Sequence, residues 1–89
     1  MTIRYNNSFL SDLKKIKNEK ITSLVKVSID ELMIIHDLSS VKNLKKIKGD
    51  KDAFRLRIRN YRMGFFYRDN TIILSRILDR KDIYKNFPK

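Results

Sequence analysis

Residues 53–78 read AFRLRIRNYRMGFFYRDNTIILSRIL, and this stretch predicts three consecutive β-strands. Apolar and arginine residues alternate from Phe54 to Arg59, as in a strand with one buried face, because successive side chains point to opposite faces. The predicted strands are 54–59, 61–67 and 71–78, with tight turns at Arg59-Asn60 and Asp69-Asn70. The last strand is nearly continuous in apolar residues, which indicates an interior position in the sheet.

The first half of the chain predicts one strand and two helices. Residues 2–6 form the strand, and Ser8 is the expected N-cap of a first helix whose apolar residues have helical spacing. The second helix runs from Asn18 or Glu19 to about Ile35. These two helices, with almost no connection between them, indicate an antiparallel helical hairpin.

Two further segments complete the predicted fold. Residues 36–52 are either a short helical turn or an extended connector, and residues 79–84 close the chain as a turn or helix. The order β-αα-βββ predicts one α+β domain over residues 1–89. In this domain the helical hairpin packs on one face of a small, mostly antiparallel sheet, and the other face is expected to be open.

Charge and composition limit the classes of function that this chain can have. The chain has 21 Lys and Arg against 10 Asp and Glu, and this net charge of +11 favours an anionic partner: nucleic acid, an acidic protein or a membrane surface. It has no cysteine and one histidine, His36, so thiolate and multi-histidine metal sites are excluded and no cofactor or metal is expected. No apolar run reaches the length of a membrane span, so we expect a cytoplasmic protein without a membrane partner.

Basic residues gather on the predicted open face of the sheet. The alternation places Arg55 and Arg57 there, and Gly64 removes a side chain from the same face, which predicts a concavity. Guanidinium groups match phosphate, and an aromatic ring beside them suits unpaired RNA bases, although an ordinary solvated strand face has the same alternation. The residues selected for this surface are Arg55, Arg57, Arg62, Arg80 and Tyr84, and the candidate additional RNA contacts are Arg59, Arg76 and Lys81.

Three stretches resemble the RelE/ParE toxin superfamily. Residues 53–84 are similar to its C-terminal sheet, which typically reads "YRLRIGDYRVIY" and later "GHRKDVY". Residues 43–49, NLKKIKG, are similar to the "LKKLKG" that precedes this hairpin, and residues 9–16, FLSDLKKI, resemble the first helix. The closing motif begins Leu78-Asp79-Arg80 here, where many relatives have Gly-His-Arg, so Asp79 replaces a candidate proton-transfer histidine.

The resemblance implies a RelE-like fold and the toxin of a type II toxin–antitoxin system. RelE-like members cut mRNA in the ribosomal A site by attack of the RNA 2′-hydroxyl, without a metal, and so inhibit translation. Position by position, the match implies roles in RNA binding and cleavage for five residues, which are therefore the candidate catalytic residues: Arg55, Arg57, Arg62, Arg80 and Tyr84. It also implies a cognate antitoxin that binds the toxin in a hetero-oligomer. Two alternatives remain: a ParE-like inhibitor of DNA gyrase, and a non-catalytic basic RNA-binding module.

Overall fold

Three α-helices and five strands form within residues 1–88, which are the residues that the computed structural model describes. In chain order these elements are β1 (Thr2–Tyr5), α1 (Asn7–Lys15), α2 (Glu19–Ile34), a 3₁₀ turn (Leu38–Ser40), β2 (Leu44–Lys46), β3 (Ala53–Ile58), β4 (Tyr61–Arg68), β5 (Thr71–Asp79) and α3 (Arg80–Asn86). The predicted α+β class is confirmed, with the three C-terminal strands close to their expected bounds. No helix in this part of the chain is both long and apolar enough to span a membrane.

The strands form one sheet in the order β1-β5-β4-β3-β2. β1 pairs with β5 in parallel and the other neighbours are antiparallel, so the sheet is mostly antiparallel as predicted. β5 lies between β1 and β4, in the interior position that its apolar sequence indicated. The connector of residues 36–52 contains both alternatives, a 3₁₀ turn followed by the short edge strand β2.

Two-residue turns join the three C-terminal strands. Pairing of Ile58 with Tyr61 leaves Arg59-Asn60 as the first turn, and the second turn is Asp69-Asn70. Asp69 and Asn70 have φ of 49° and 60°, the left-handed conformation that matches a two-residue turn to the twist of its strands. Arg59 also has a positive φ, 57°, although arginine has no special tolerance for it.

The main core lies between the sheet and the helical hairpin. Phe9 of α1 and Val25 of α2 are buried against strand residues such as Phe65, with at most 1% of each side chain exposed. The helix α1 begins at Asn7, so the N-cap prediction for Ser8 was wrong: Asn6 holds that position. The Ser8 hydroxyl instead donates a hydrogen bond to the backbone of β5.

The second face of the sheet is partly covered, which corrects the expectation that it is open. Ile83 of α3 and Phe87, just after it, form a smaller apolar cluster with Ala53 at the start of β3. Phe66 and Leu78 pack against this cluster from β4 and β5. The helix α3 is thus fixed across one part of this face, and the arginines of β3 lie beside it.

An ion pair between a buried carboxylate and a partly buried guanidinium ties α1 to β5. The Asp12 carboxylate is 4% exposed and accepts two hydrogen bonds from the Arg76 guanidinium, at 2.7 and 3.0 Å. The same carboxylate accepts the backbone N–H of Ile77 at 3.1 Å, where the β4–β5 register shifts opposite Gly64 and Phe65. Hydrogen bonding to Asp12 raises the pKa of Arg76. The Asp12 carboxylate thus provides a hydrogen-bond acceptor for the buried Ile77 N–H beside the irregular β4–β5 pairing.

We expect Asp12→Asn to lower the free energy of unfolding by about 2–3 kcal/mol, because it leaves a partly buried guanidinium without its counter-charge. Urea denaturation followed by circular dichroism measures this change. The matched control is Asp52→Asn, which breaks the more exposed Asp52–Arg68 pair of the same 2.7 Å length and should cost at most about 1 kcal/mol. Equal effects of the two substitutions would contradict the structural role given to Asp12.

Candidate functional site

A cleft of about 260 Å³ lies beside α3 on the second face of the sheet. Its walls contain four of the five candidate catalytic residues, and also Leu44 and two polar residues that the sequence analysis did not select. We call it the basic cleft. Its polar and aromatic lining residues are Asn43, Lys45, Arg55, Arg57, Arg62 and Tyr84. Among the described residues that line it, none is acidic, so its cations face solvent without a carboxylate.

The pairing of β3 with β4 brings the arginines together. Arg57 lies directly opposite Arg62 in the antiparallel register, and Arg55 lies opposite Gly64. Residues that are direct partners project to the same face of a sheet, so Arg57 and Arg62 enter the cleft side by side. The period-two alternation and the hairpin therefore predicted this cross-strand set correctly.

Arg62 is held by the turn that precedes it. Its Nη1 donates hydrogen bonds to the carbonyl oxygens of Arg59 and Tyr61, both at 2.9 Å. Burial is the main cause that lowers the pKa of Arg62; Tyr84 opposes this shift, while Arg57, Arg55 and Arg80 add to it. The repulsion among these guanidinium groups is relieved when an anion binds between them, because arginine stays protonated.

Tyr84 and Arg55 form a stacked pair on one wall of the cleft. The Arg55 Cζ atom lies 4.6 Å from the centroid of the Tyr84 ring, within the range of a cation–π interaction. The Tyr84 side chain is 63% exposed, so the stack leaves much of the residue accessible to a ligand. An exposed aromatic ring beside guanidinium groups provides a platform for an unpaired base.

Arg80 and Asp79 lie where β5 meets α3. The backbone N–H of Arg80 donates to the carbonyl of Asn60 at 2.8 Å, and the exposed Arg80 side chain is near enough to affect the pKa of Arg62. Arg80 does not line the basic cleft itself but lies at its border. The Asp79 carboxylate accepts the backbone N–H of Lys81 at 2.9 Å, which caps α3.

The three candidate additional RNA contacts lie outside the basic cleft. Arg76 is bound to Asp12, whereas Lys81 is exposed in the first turn of α3. Arg59 is exposed in the β3–β4 turn and lines a separate groove with α2. A role in RNA binding stays a prediction for all three, and the ion pair makes Arg76 the least available of them.

Asn43 and Lys45 are the residues that sequence reasoning missed. Asn43 has a φ of 66°, and its side-chain oxygen accepts a hydrogen bond from Arg57 Nη2 at 3.1 Å. Its backbone carbonyl also accepts the Arg57 N–H at 3.0 Å. Lys45 lies opposite Arg55 in the pairing of β2 with β3. The sequence contained only a weak signal for this strand, because three residues show too little alternation to predict that β2 pairs with β3.

Gly64 has a different role from the one expected. The concavity that it leaves is filled by the Phe87 ring: a Cβ atom at Gly64 would lie 2.6 Å from Phe87 Cδ2. Absence of a side chain therefore lets Phe87 pack against β4 and fix the C-terminal end of α3. Because α3 carries Tyr84, this packing supports the wall of the basic cleft. Within residues 1–88, no group of three or more His, Asp or Glu side chains is placed to bind a metal.

Comparisons with known proteins assign this α+β fold to a class of small toxins. A family model described as the ParE toxin of the type II toxin–antitoxin system parDE matches residues 3–84. Toxin RelE3 of Methanocaldococcus jannaschii is 37% identical over 89 residues, which cover 99% of this chain and all of the relative. The chain belongs to the RelE/ParE superfamily of type II toxins.

Solved structures support the same assignment. The chain superposes with a TM-score of 0.81 on a chain of the RelB–RelE antitoxin–toxin complex from Methanococcus jannaschii, at 35% identity and with 96% and 99% of the two chains covered. YafQ from E. coli strain BL21(DE3) gives a TM-score of 0.76 over 92% of this chain and 96% of YafQ. Its identity is only 14%, so this likeness shows the shared fold alone.

We expect Gly64→Ala to destabilise the protein by about 1–3 kcal/mol, because the added methyl group displaces Phe87. In a Phe87→Ala background the same substitution should cost less than about 0.5 kcal/mol, since the overlapping ring is gone. A double-mutant cycle from urea denaturation measures the coupling. An equal cost in both backgrounds would show that Gly64 does not serve the packing of Phe87.

Proposed function

We propose that this chain is a ribosome-dependent endonuclease that cleaves mRNA codons in the A site and thereby inhibits translation in the cytoplasm. The observation that supports this best is the gathering of Arg55, Arg57, Arg62 and the exposed Tyr84 around one cleft without a lining carboxylate. Such a cleft suits a phosphodiester flanked by an unpaired base. The ribosome-dependent part of this proposal is supported only by the resemblance of the sequence to RelE-like toxins.

The proposed reaction uses the RNA as its own nucleophile. The 2′-hydroxyl loses its proton and attacks the adjacent phosphorus, and the bond from phosphorus to the 5′-oxygen of the next nucleotide breaks. The products are a 2′,3′-cyclic phosphate and a 5′-hydroxyl, which takes up a proton. Negative charge accumulates on the phosphate oxygens in the transition state, where fixed guanidinium groups stabilise it. Since the nucleophile and the positive charge are already present, this reaction does not call for a metal.

Arg57 and Arg62 are the best-placed phosphate ligands. Each has one terminal nitrogen bound to the protein, Arg57 to Asn43 and Arg62 to two carbonyl groups, so its orientation is set before RNA arrives. The remaining donors of each planar fork are directed at phosphate oxygens in this proposal. Preorganised donors of this kind lose little entropy when the transition state forms. Arg80, at the border of the cleft, completes the positive field around the scissile group.

Arg62→Ala and Arg80→Ala should each lower the rate of mRNA cleavage by about 10²–10³, the usual effect of removing one preorganised donor. Single-turnover cleavage on programmed ribosomes measures this rate. Arg68→Ala is the matched control, because it removes the same charge from the far end of β4, where Arg68 pairs with Asp52. Cleavage that falls equally in all three variants would indicate a general effect of charge instead of an arginine site.

Tyr84→Phe should keep cleavage within about threefold of the unmodified chain, whereas Tyr84→Ala should lose at least about tenfold, because a base stacks on the ring. The phenylalanine ring preserves the platform and its contact with Arg55, while alanine removes both. Single-turnover cleavage compares the two variants directly. A loss in Tyr84→Phe as large as in Tyr84→Ala would assign the function to the phenolic hydroxyl and contradict a stacking role.

A cognate antitoxin is the second proposed partner. The similar RelE of Methanococcus jannaschii was crystallised with RelB, and the net charge of +11 here favours an acidic segment. The helix α2 also exposes apolar side chains, with Ile34 at 76% and Val27 at 50% exposed, which an amphipathic segment would cover. We therefore propose a toxin–antitoxin hetero-oligomer in which the antitoxin wraps the helices and the sheet.

Inhibition of DNA gyrase is the second candidate function, favoured by the match to the ParE toxin model over residues 3–84. The two functions separate in one expression experiment. Growth arrest with cuts inside translated codons supports the nuclease. Arrest with intact mRNA and accumulating DNA breaks would replace it with the gyrase inhibitor, and harmless expression with retained RNA affinity would leave a non-catalytic RNA-binding module.

A further inference from the structure

We propose that the two-residue β3–β4 turn, Arg59-Asn60, positions Arg62 and Arg80, and that Arg59 acts through its backbone and not through its charge. This inference rests on the proposed function, in which both of those arginines serve RNA cleavage. Arg59 is then a positioning residue, and this proposal replaces the direct RNA contact that the sequence predicted for its side chain. The turn would act as a shared support for two cationic groups that come from different elements, β4 and α3.

The first observation is the contact between the turn and Arg62. The carbonyl oxygens of Arg59 and Tyr61 both accept Arg62 Nη1 at 2.9 Å, so one end of the guanidinium group is clamped by backbone atoms. Among the described residues, neither Arg62 Nε nor Arg62 Nη2 donates a hydrogen bond. The orientation of the free side of the fork therefore depends on where the Arg59 carbonyl points.

The second observation is the contact between the same turn and α3. The Asn60 carbonyl accepts the backbone N–H of Arg80 at 2.8 Å. Arg80 is the first residue of α3, which also carries Tyr84 to the wall of the basic cleft. The carbonyl groups of two consecutive residues thus hold Arg62 by its side chain and Arg80 by its backbone.

The third observation concerns the conformation and position of Arg59 itself. Its φ of 57° is in the left-handed region, which arginine does not favour. Arg59 does not line the basic cleft; it lines a groove with Leu24 and Val27 of α2. Its charge is therefore on the side of the α2 groove, while its carbonyl faces Arg62. The backbone of Arg59 therefore contacts Arg62, whereas its side chain lies in the α2 groove, outside the basic cleft.

Substitutions at Arg59 can separate these two roles. Asparagine removes the charge and adopts a positive φ more readily than most residues, so Arg59→Asn keeps the turn. Valine also removes the charge, but its branched Cβ disfavours this conformation, so Arg59→Val distorts the turn. Asn70→Val is the control for turn distortion, because Asn70 has a φ of 60° in the β4–β5 turn and does not line the basic cleft.

Single-turnover cleavage by the chain of residues 1–89 on programmed ribosomes is the first measurement. We expect Arg59→Asn and Asn70→Val to stay within about threefold of the unmodified chain, and Arg59→Val to lose at least about tenfold in the cleavage step, since small misplacements of catalytic groups are costly. Equal losses of cleavage in Arg59→Asn and Arg59→Val would show that the charge of Arg59 matters, against the proposal. An equal loss in Asn70→Val and Arg59→Val would show a general effect of turn distortion on stability, which would also contradict it. Full activity in Arg59→Val would also overturn the proposal.

NMR on the same variants tests the positioning without any catalytic readout. The order parameter of the Arg62 Nε–H group and the hydrogen-exchange protection of the Arg80 amide should be preserved in Arg59→Asn and Asn70→Val. Both should fall in Arg59→Val. If both stay unchanged in that variant, the turn does not position the arginines. If the unmodified chain fails to cut mRNA, the proposed nuclease function is wrong, and these NMR values still decide the role of the turn.

Discussion

The register of the β3–β4 hairpin is the constraint on which the rest of the site depends. Pairing of Ile58 with Tyr61 across a two-residue turn sets Arg57 opposite Arg62 and Arg55 opposite Gly64. A slip of one residue would move every side chain of one strand to the opposite face, so the arginines would enter the core while apolar residues met solvent. The same hydrophobic burial that stabilises the sheet therefore also fixes the position of the cations.

Repulsion among arginines that are gathered in one cleft opposes folding. In this structure, contacts with neutral groups limit the cost of that repulsion. Asn43 holds Arg57, two carbonyls hold Arg62, and the Tyr84 ring faces Arg55. None of these partners neutralises the charge, in contrast to the buried Asp12 carboxylate, which pairs with the partly buried Arg76. Positive potential is thus retained in the cleft, where an anionic ligand benefits from it, and is cancelled where it would only cost stability.

Local sequence pattern predicted the hairpin and its arginine face, because period-two alternation and turn position depend on neighbouring residues. The parts it missed depend on contacts between distant residues. Asn43 and Lys45 join the cleft through a three-residue edge strand, and Phe87 fills the space over Gly64 from the far end of the chain. The pairing of Arg76 with Asp12 spans 64 positions, which no periodicity reports. The class of toxin came from the family resemblance and not from these patterns.

The most direct test of the proposed function asks whether the RNA supplies the nucleophile. Purified chain would be added to ribosomes programmed with a synthetic mRNA, with or without a single 2′-deoxynucleotide at the scissile position of the A-site codon. We predict that the all-ribose message is cut to leave a 2′,3′-cyclic phosphate and a 5′-hydroxyl, and that the substituted message stays intact at that bond. Cleavage of both messages would contradict attack by the 2′-hydroxyl, and cleavage of neither would contradict the nuclease itself.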